Sequence, residues 1–223
     1  MKLHQRVVSL GGNCMITKEL RAYFGTESAN LFDWWITPAD ALVRLIESDC
    51  EDLFAAENLR VVGDRESVAN VRYGNLHHHD FPRDNHERVI AITGKQLERN
   101  REKFAYLKRR WDDLAENPGP VVFVRFGWNL PAPLLEGIPP EPIEAGPLRL
   151  VAALDRKFPR LDYQILLIDA MIGGWPVMVR HPKLSLRESR IFTEEGEFLR
   201  AEDLTWKDNA TIFSRIFSTV RLR

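Results

Sequence analysis

The chain has 223 residues, a length typical of one domain with insertions. Its 31 basic and 32 acidic side chains give a formal net charge of −1, which provides no general attraction to nucleic acids or to anionic membranes. No apolar run approaches the roughly 20 residues that a membrane-spanning helix needs, and no signal-type segment precedes the first strand, so we expect a cytoplasmic protein. The two cysteines lack Cys-x-x-Cys spacing, and both are expected to be free thiols.

The first predicted elements are a strand, a glycine turn and a helix. Val7 to Leu10 form a buried apolar run, residues 11–13 read Gly-Gly-Asn, and Met15 to Phe24 carry apolar residues at helical spacing. Cys14 is therefore expected at a strand-to-helix junction, where the positive end of a helix favours the thiolate over the thiol. The same geometry also serves phosphate binding and plain structural turns, so the junction alone leaves these roles open.

Helices and strands alternate along the rest of the chain. Continuous apolar runs predict two more strands, at Val121–Val124 and Ile165–Ile168, and residues 190–199 favour a late hairpin. Helical spacing predicts helices over 41–47 with Thr37 as the N-cap, over 97–114, over 148–158, and near the end through Ile212, Ile216 and Val220.

Apolar strands that alternate with helices predict a three-layer α/β fold, with a mostly parallel sheet covered by helices on both faces. We expect one domain over residues 1–223, with an inserted segment around 60–95 and a proline-rich loop at 129–147. Ligands of such sheets gather beyond the carboxyl ends of the strands. Cys14, Arg125 and Asp169 each follow or end a predicted strand, and we expect them to share one rim. As structural alternatives, Arg125 would pair with an acid and Asp169 would cap a turn.

A run of three histidines is the second chemical signal, at residues 77–79 ahead of Asp80. In an extended conformation, His77 and His79 would share one face of the chain. A histidine close to Cys14 would act as its base, as in papain-type catalysis, and Asp33 or Asp80 would orient the ring.

The histidine run has two other interpretations. In the first, His77 and His79 bind zinc, with Asp80 or His86 completing the site. In the second, the run is a solvated polar segment before a loop. Because no second strong pair of ligands is present, we expect no metal and no other cofactor.

Four short blocks resemble the bacterial DUF1796 family, which is labelled a papain-like cysteine peptidase family. The blocks are Ser9-Leu10-Gly11-Gly12-Asn13-Cys14, Phe32-Asp33-Trp34, His79-Asp80-Phe81 and Phe123-Val124-Arg125, and together they span most of residues 6–126. The resemblance implies Cys14 as the nucleophile and His79 as its partner, with Asp33, Trp34 and Arg125 in the same site. It also implies a papain-like α+β fold as the alternative to a parallel sheet.

These observations predict a thiol-dependent hydrolase or acyl transferase that uses a Cys-His pair. Cys14, His79 and Asp33 would be catalytic, and the substrate-binding residues would be Asn13, Trp34, Asp80, Arg125 and Asp169. The substrate is expected to be a small molecule, a peptide or a glycan-linked compound, and the oligomeric state stays open. The alternative is a noncatalytic domain that binds a glycan or nucleotide-sugar through Trp34, Trp35 and Arg125.

Overall fold

The structure is a computed structural model that describes residues 6–12, 14–26, 29–116, 119–127, 146–168, 180–187, 191–192, 198–199 and 206–218. Its strands are β1 (Arg6–Ser9), β2 (Leu59–Val62), β3 (Ser67–Asn70), β4 (Val121–Phe126), β5 (Tyr163–Ile168), β6 (Leu184–Arg187), β7 (Ile191–Phe192) and β8 (Phe198–Leu199). Its helices are α1 (Cys14–Phe24), α2 (Ala39–Glu47), α3 (Gly94–Glu116), α4 (Pro147–Lys157) and α5 (Trp206–Ser218), with one 3-10 turn at Ala56–Asn58.

The main sheet has four strands in the order β1-β4-β5-β6, and every neighbouring pair is parallel. Val8 lies beside Phe123, and Phe123 lies beside Ile165, so the three predicted apolar runs occupy adjacent strands. The prediction of a mostly parallel α/β sheet is therefore confirmed. The fourth strand, β6, is not predicted from the sequence.

Two small antiparallel pairs accompany this sheet. β2 pairs with β3, and β7 pairs with β8 as the late hairpin prediction expects. The turn of that hairpin and Val220 lie outside the described residues. In the part of the chain that the structure describes, no helix is long and apolar enough to cross a membrane.

Alternate residues of the central strands pack into two different apolar clusters, because successive side chains of a strand point to opposite faces. Phe123 and Ile165 belong to a cluster that includes residues of α2, α3 and α4. Val124 and Leu166 belong to a second cluster that includes residues of α1 and α5. The sheet thus has apolar packing on both sides, which is why its strands read as continuous apolar runs.

Helix α2 begins without the predicted cap. It starts at Ala39 after Pro38, and no side-chain hydrogen bond caps it. Thr37 is instead fully buried, and its N–H donates to the carbonyl oxygen of Gly12 at 3.2 Å. The prediction of Thr37 as the N-cap is wrong, because this residue ties the start of α2 to the turn that follows β1.

Candidate active site

The turn between β1 and α1 is shaped by contacts within the protein itself. The N–H of Gly11 donates to Ser9 Oγ at 3.0 Å, and the Gly11 carbonyl accepts from the N–H of Phe126 at 3.2 Å. Gly12 has φ +116°, and a Cβ at this position would lie 1.9 Å from the carbonyl oxygen of Phe126. Glycine is therefore required at position 12 because β4 passes so close to the turn.

Cys14 is the first residue of α1 and its free thiol is partly exposed. Residues three, four and seven positions further along a helix lie on the same side as the first residue. These positions are held by Thr17, Lys18 and Arg21. Thr17 Oγ1 donates to the carbonyl of Asp33 at 2.9 Å, so this side of α1 packs against the segment that contains Asp33.

Asp33 anchors that segment to α1. It is fully buried and accepts hydrogen bonds from Arg21 at 3.2 Å and from the N–H of Asn30 at 2.8 Å. Burial raises the pKa of this carboxyl group, although the contacts with Asn30 and Arg21 act in the opposite direction. Among the residues that the structure describes, no imidazole is hydrogen-bonded to Asp33, and its hydrogen bonds hold the aromatic segment against α1.

The pairing of a carboxylate with an imidazole occurs at His77 and Asp80. His77 is fully buried, and its Nδ1 lies 2.9 Å from Asp80 Oδ2. The same oxygen accepts from Trp35 Nε1 at 2.8 Å, while Oδ1 accepts from Lys103 Nζ at 2.8 Å. Burial alone would raise the pKa of Asp80, but the contacts with His77 and Lys103 hold it well below its ordinary value.

His79 has a different environment, because residues 78–81 form a bend and not an extended strand. Its side chain is exposed, and its ring packs edge to face on Trp34 with 5.5 Å between ring centroids. Burial of part of the ring, together with the charges of Arg83, Lys18 and Lys103, lowers the pKa of His79 below 6.5. His79 is therefore largely neutral at pH 7, the protonation state that a general base needs. His77 and His79 do not share one face.

Cys14 and His79 belong to segments that are linked through Trp34, and no hydrogen bond joins these two described residues. Lys18, one helical turn after Cys14, is close enough to His79 to lower its pKa, and the guanidinium of Arg21 lies 5.3 Å from the ring centroid of Trp34. Trp34 thus contacts both the guanidinium of Arg21 on α1 and the ring of His79, and it connects these two segments.

Arg125 and Trp35 are buried inside the protein. Arg125 is 2% exposed and donates to the carbonyl of Leu10 at 3.1 Å and to the carbonyl of Thr37. Burial lowers the pKa of its guanidinium to about 9, while the charge of Asp40 acts in the opposite direction. Arg125 therefore joins β4 to the end of β1 and to the start of α2, and the indole N–H of Trp35 is occupied by Asp80.

Two predicted site residues, Asn13 and Asp169, lie outside the described residues. Within the described ranges, no group of three histidine, cysteine, aspartate or glutamate side chains is placed to hold a metal ion.

Two residues of the site, Arg21 and Lys103, are not among those predicted from the sequence, and they contact Asp33 and Asp80. Arg21 was detectable from its helical spacing to Cys14, whereas no local pattern points from Lys103 to Asp80.

His79 also lines an open cleft of about 240 Å³ between the bend and the first turns of α3. We call it the basic cleft, and its polar lining consists of His79, Asp80, Gln96, Arg99, Asn100 and Lys103. Asp80 is the one acidic residue among the described residues that line it.

Comparison of the chain with models of known protein families, with curated proteins and with solved structures gives no match.

Proposed function

We propose that the chain is a thiol-dependent hydrolase or acyl transferase, with Cys14 as the nucleophile and His79 as the general base. The observation that carries this proposal is the position of a partly exposed thiol at the first residue of an 11-residue helix, whose Lys18 lowers the pKa of His79 and whose Arg21 contacts Trp34. A helix N-terminus favours a thiolate and offers N–H groups that stabilise an oxyanion.

The reaction follows from the roles of these groups. His79 accepts the thiol proton, and Cys14 Sγ forms a bond to the carbonyl carbon of an amide, ester or thioester. The tetrahedral intermediate collapses, the bond to the leaving group breaks, and His79 returns the proton to that group. Water or another acceptor, deprotonated by His79, then attacks the acyl-enzyme and releases Cys14.

The separation of Cys14 and His79 in the free protein is compatible with this role. Catalytic hydrogen bonds are often long or poorly aligned without substrate and tighten in the complex. His79 is exposed, and its described contacts are ring contacts with Trp34 and His78. Both contacts allow the ring to turn within its site more easily than the buried, hydrogen-bonded ring of His77.

We also propose a three-layer fold and membership of the DUF1796 family for this chain. We take the sheet as the middle layer of a three-layer arrangement in one domain over residues 1–223, which the two apolar clusters on its faces support. The parallel strand order gives no support to the papain-like α+β alternative. The resemblance to the DUF1796 family rests on the four sequence blocks, and a cytoplasmic location completes the proposal.

A noncatalytic binding domain is the second candidate, and one observation favours it. Trp34 is partly exposed and lies between Arg21 and His79, an arrangement suited to stacking with a sugar or a base. Trp35 and Arg125 are occupied by contacts within the protein. Glycan or nucleotide-sugar binding would therefore depend on Trp34.

Acylation by p-nitrophenyl acetate tests the proposal, with release of p-nitrophenol and the mass of the modified peptide as readouts. We expect one acetyl group on Cys14 of the wild type and none on Cys14→Ser. His79→Gln should acylate about 10²-fold more slowly or worse at pH 7, the smallest effect typical of a lost general base. His86→Gln is the matched control, because His86 is exposed and its side chain has no partner among the described residues.

The pH profile provides the second readout. A base whose pKa lies below 6.5 is neutral above that pH, so the ratio of the wild-type rate to the His79→Gln rate should be large at pH 7 and fall in acid. Equal rates for His79→Gln and His86→Gln, or acylation of Cys14→Ser at the wild-type rate, would contradict the Cys-His mechanism. Saturable glycan binding that Trp34→Ala abolishes would then favour the binding domain.

A further inference from the structure

The basic cleft carries more hydrogen-bond donors than the protein itself uses. Arg99 is exposed, and among the described residues its guanidinium has no hydrogen-bond or ion-pair partner. Lys103 lines the cleft and pairs with Asp80, yet its side chain is 47% exposed. Since this contact uses only one of the three donors of an ammonium, Lys103 retains donors for a ligand.

Asn100 contributes a third unused donor, and it is buried. The residue is 4% exposed and lines the cleft, and its Nδ2 has no hydrogen-bond partner among the described residues. The orientation of its amide is fixed by its neighbour. Gln96 Nε2 donates to the carbonyl of Asp80 at 2.8 Å, so it is a nitrogen, and the Asn100 atom 3.0 Å from it is the acceptor Oδ1.

An unpaired buried amide destabilises a protein, and a ligand in the cleft that Asn100 lines would supply the missing acceptor. Three of the lining groups, a guanidinium, an ammonium and an amide N–H, donate hydrogen bonds, and two of them carry positive charge against the single negative charge of Asp80. The charge of Asp80 is already balanced by Lys103 and by the hydrogen bond of His77. Such a set of donors selects an acceptor with negative charge, namely a carboxylate or phosphate group.

We propose that the basic cleft binds an oxyanion, and that Arg99, Lys103 and Asn100 donate to it. Because His79 lines the same cleft, this oxyanion belongs to the substrate whose acyl group is transferred to Cys14. This role in catalysis rests on the proposed function. The binding itself does not require the chemistry of Cys14. The preferred substrate is thus an acyl compound with a carboxylate or phosphate group beyond its reacting carbonyl.

Titration of the full chain with succinate and, separately, with inorganic phosphate tests the proposal. Chemical shifts of the backbone amides report both the affinity and the location of binding. We expect saturable shifts at residues 96–103 with at least one of the two anions, and the tighter one identifies the carboxylate or the phosphate class. Removal of a charge-assisted hydrogen bond should weaken binding about tenfold or more, as expected for Arg99→Gln.

Two variants separate ligand binding from general charge and from folding. Arg109→Gln removes the same charge from an exposed position of α3 outside the cleft, and it should bind the anion as the wild type does. Asn100→Leu removes the unpaired donor at similar volume, and we expect it to lose affinity about tenfold while its unfolding midpoint stays the same or rises. Equal losses in Arg99→Gln and Arg109→Gln, or no saturable binding of either anion, would overturn the proposal.

Cys14→Ala keeps this test independent of the proposed chemistry. We expect this variant to bind the anion with wild-type affinity, because Cys14 does not line the cleft. Anion binding without acylation would leave the cleft proposal standing and remove the proposed function. Acylation without anion binding would leave the proposed function standing and remove the cleft proposal.

Discussion

Replacement of Asp80 by asparagine isolates the contribution of one buried negative charge. Trp35 and His77 donate to Oδ2 of Asp80, and Lys103 donates to Oδ1. An asparagine oxygen in the place of Oδ2 can still accept from Trp35 and His77, but both bonds become neutral, at a loss of about 1 kcal/mol each. The Lys103 ion pair is half exposed and adds up to about 1 kcal/mol. We therefore expect Asp80→Asn to lower the free energy of unfolding by about 2–3 kcal/mol at pH 7.

The pH dependence of this loss has a defined sign. Since the folded protein holds the pKa of Asp80 below its ordinary value of 3.8, the carboxylate contributes stability that is fully present above that pH and decreases as the pH falls further. The difference between wild type and Asp80→Asn should thus be constant near neutrality and shrink below about pH 4.

Urea unfolding followed by tryptophan fluorescence measures both effects, provided the slope with urea concentration is unchanged. Asp162→Asn is the control, because Asp162 is exposed and its side chain has no contact among the described residues. Lys103→Met should cost no more than about 1 kcal/mol. If Asp80→Asn matched Asp162→Asn at pH 7, or if its deficit grew in acid, the assignment of Asp80 as a buried charged centre would be refuted.

Three further predictions concern two glycines, the two thiols and the buried Arg125. Gly12→Ala should prevent folding, because its Cβ would lie 1.9 Å from a carbonyl oxygen of β4. Gly25→Ala has φ +62° and open space around the Cβ, so it should lower the free energy of unfolding by only about 1 kcal/mol. Expression and urea unfolding of both variants check this. Burial raises the pKa of Cys50 to about 12, so iodoacetamide at pH 8 should modify Cys14 at least about tenfold faster, and equal rates by mass spectrometry would contradict this. Arg125→Met leaves two backbone carbonyls without their buried donor, and we expect a loss of about 2–4 kcal/mol in thermal or urea unfolding, more than any exposed arginine gives.

The parallel sheet was predictable because its central strands are buried on both faces. Such strands are apolar over most of their length, so the runs at 121–124 and 165–168 mark them without reference to the rest of the chain. β6 lacks this signal, because its residues, Leu-Ser-Leu-Arg, are only partly buried. Its place in the sheet depends on pairing with β5, which no local pattern encodes.

The candidate site was predictable in its residue types and less so in their pairing. Three identical histidines stand in a row, and which of them is buried is decided by Trp35 and Asp80 through tertiary contacts. Local sequence therefore identifies the run but not the division of roles between His77 and His79. The contacts of Arg125 are also not predictable from local sequence. Its partners are backbone carbonyls, which every residue carries, so no residue type marks them.

The contacts between the glycine turn and β4 also determine when the site can form as the protein is made. Leu10 and Arg125, whose hydrogen bond ties the two segments together, are 115 residues apart along the chain. At about 5–20 residues per second, a ribosome needs about 6–23 seconds to add the second partner after the first. Throughout that interval, the glycine turn before Cys14 lacks its hydrogen bonds with β4. The thiol therefore acquires its folded environment only after β4 has left the ribosome.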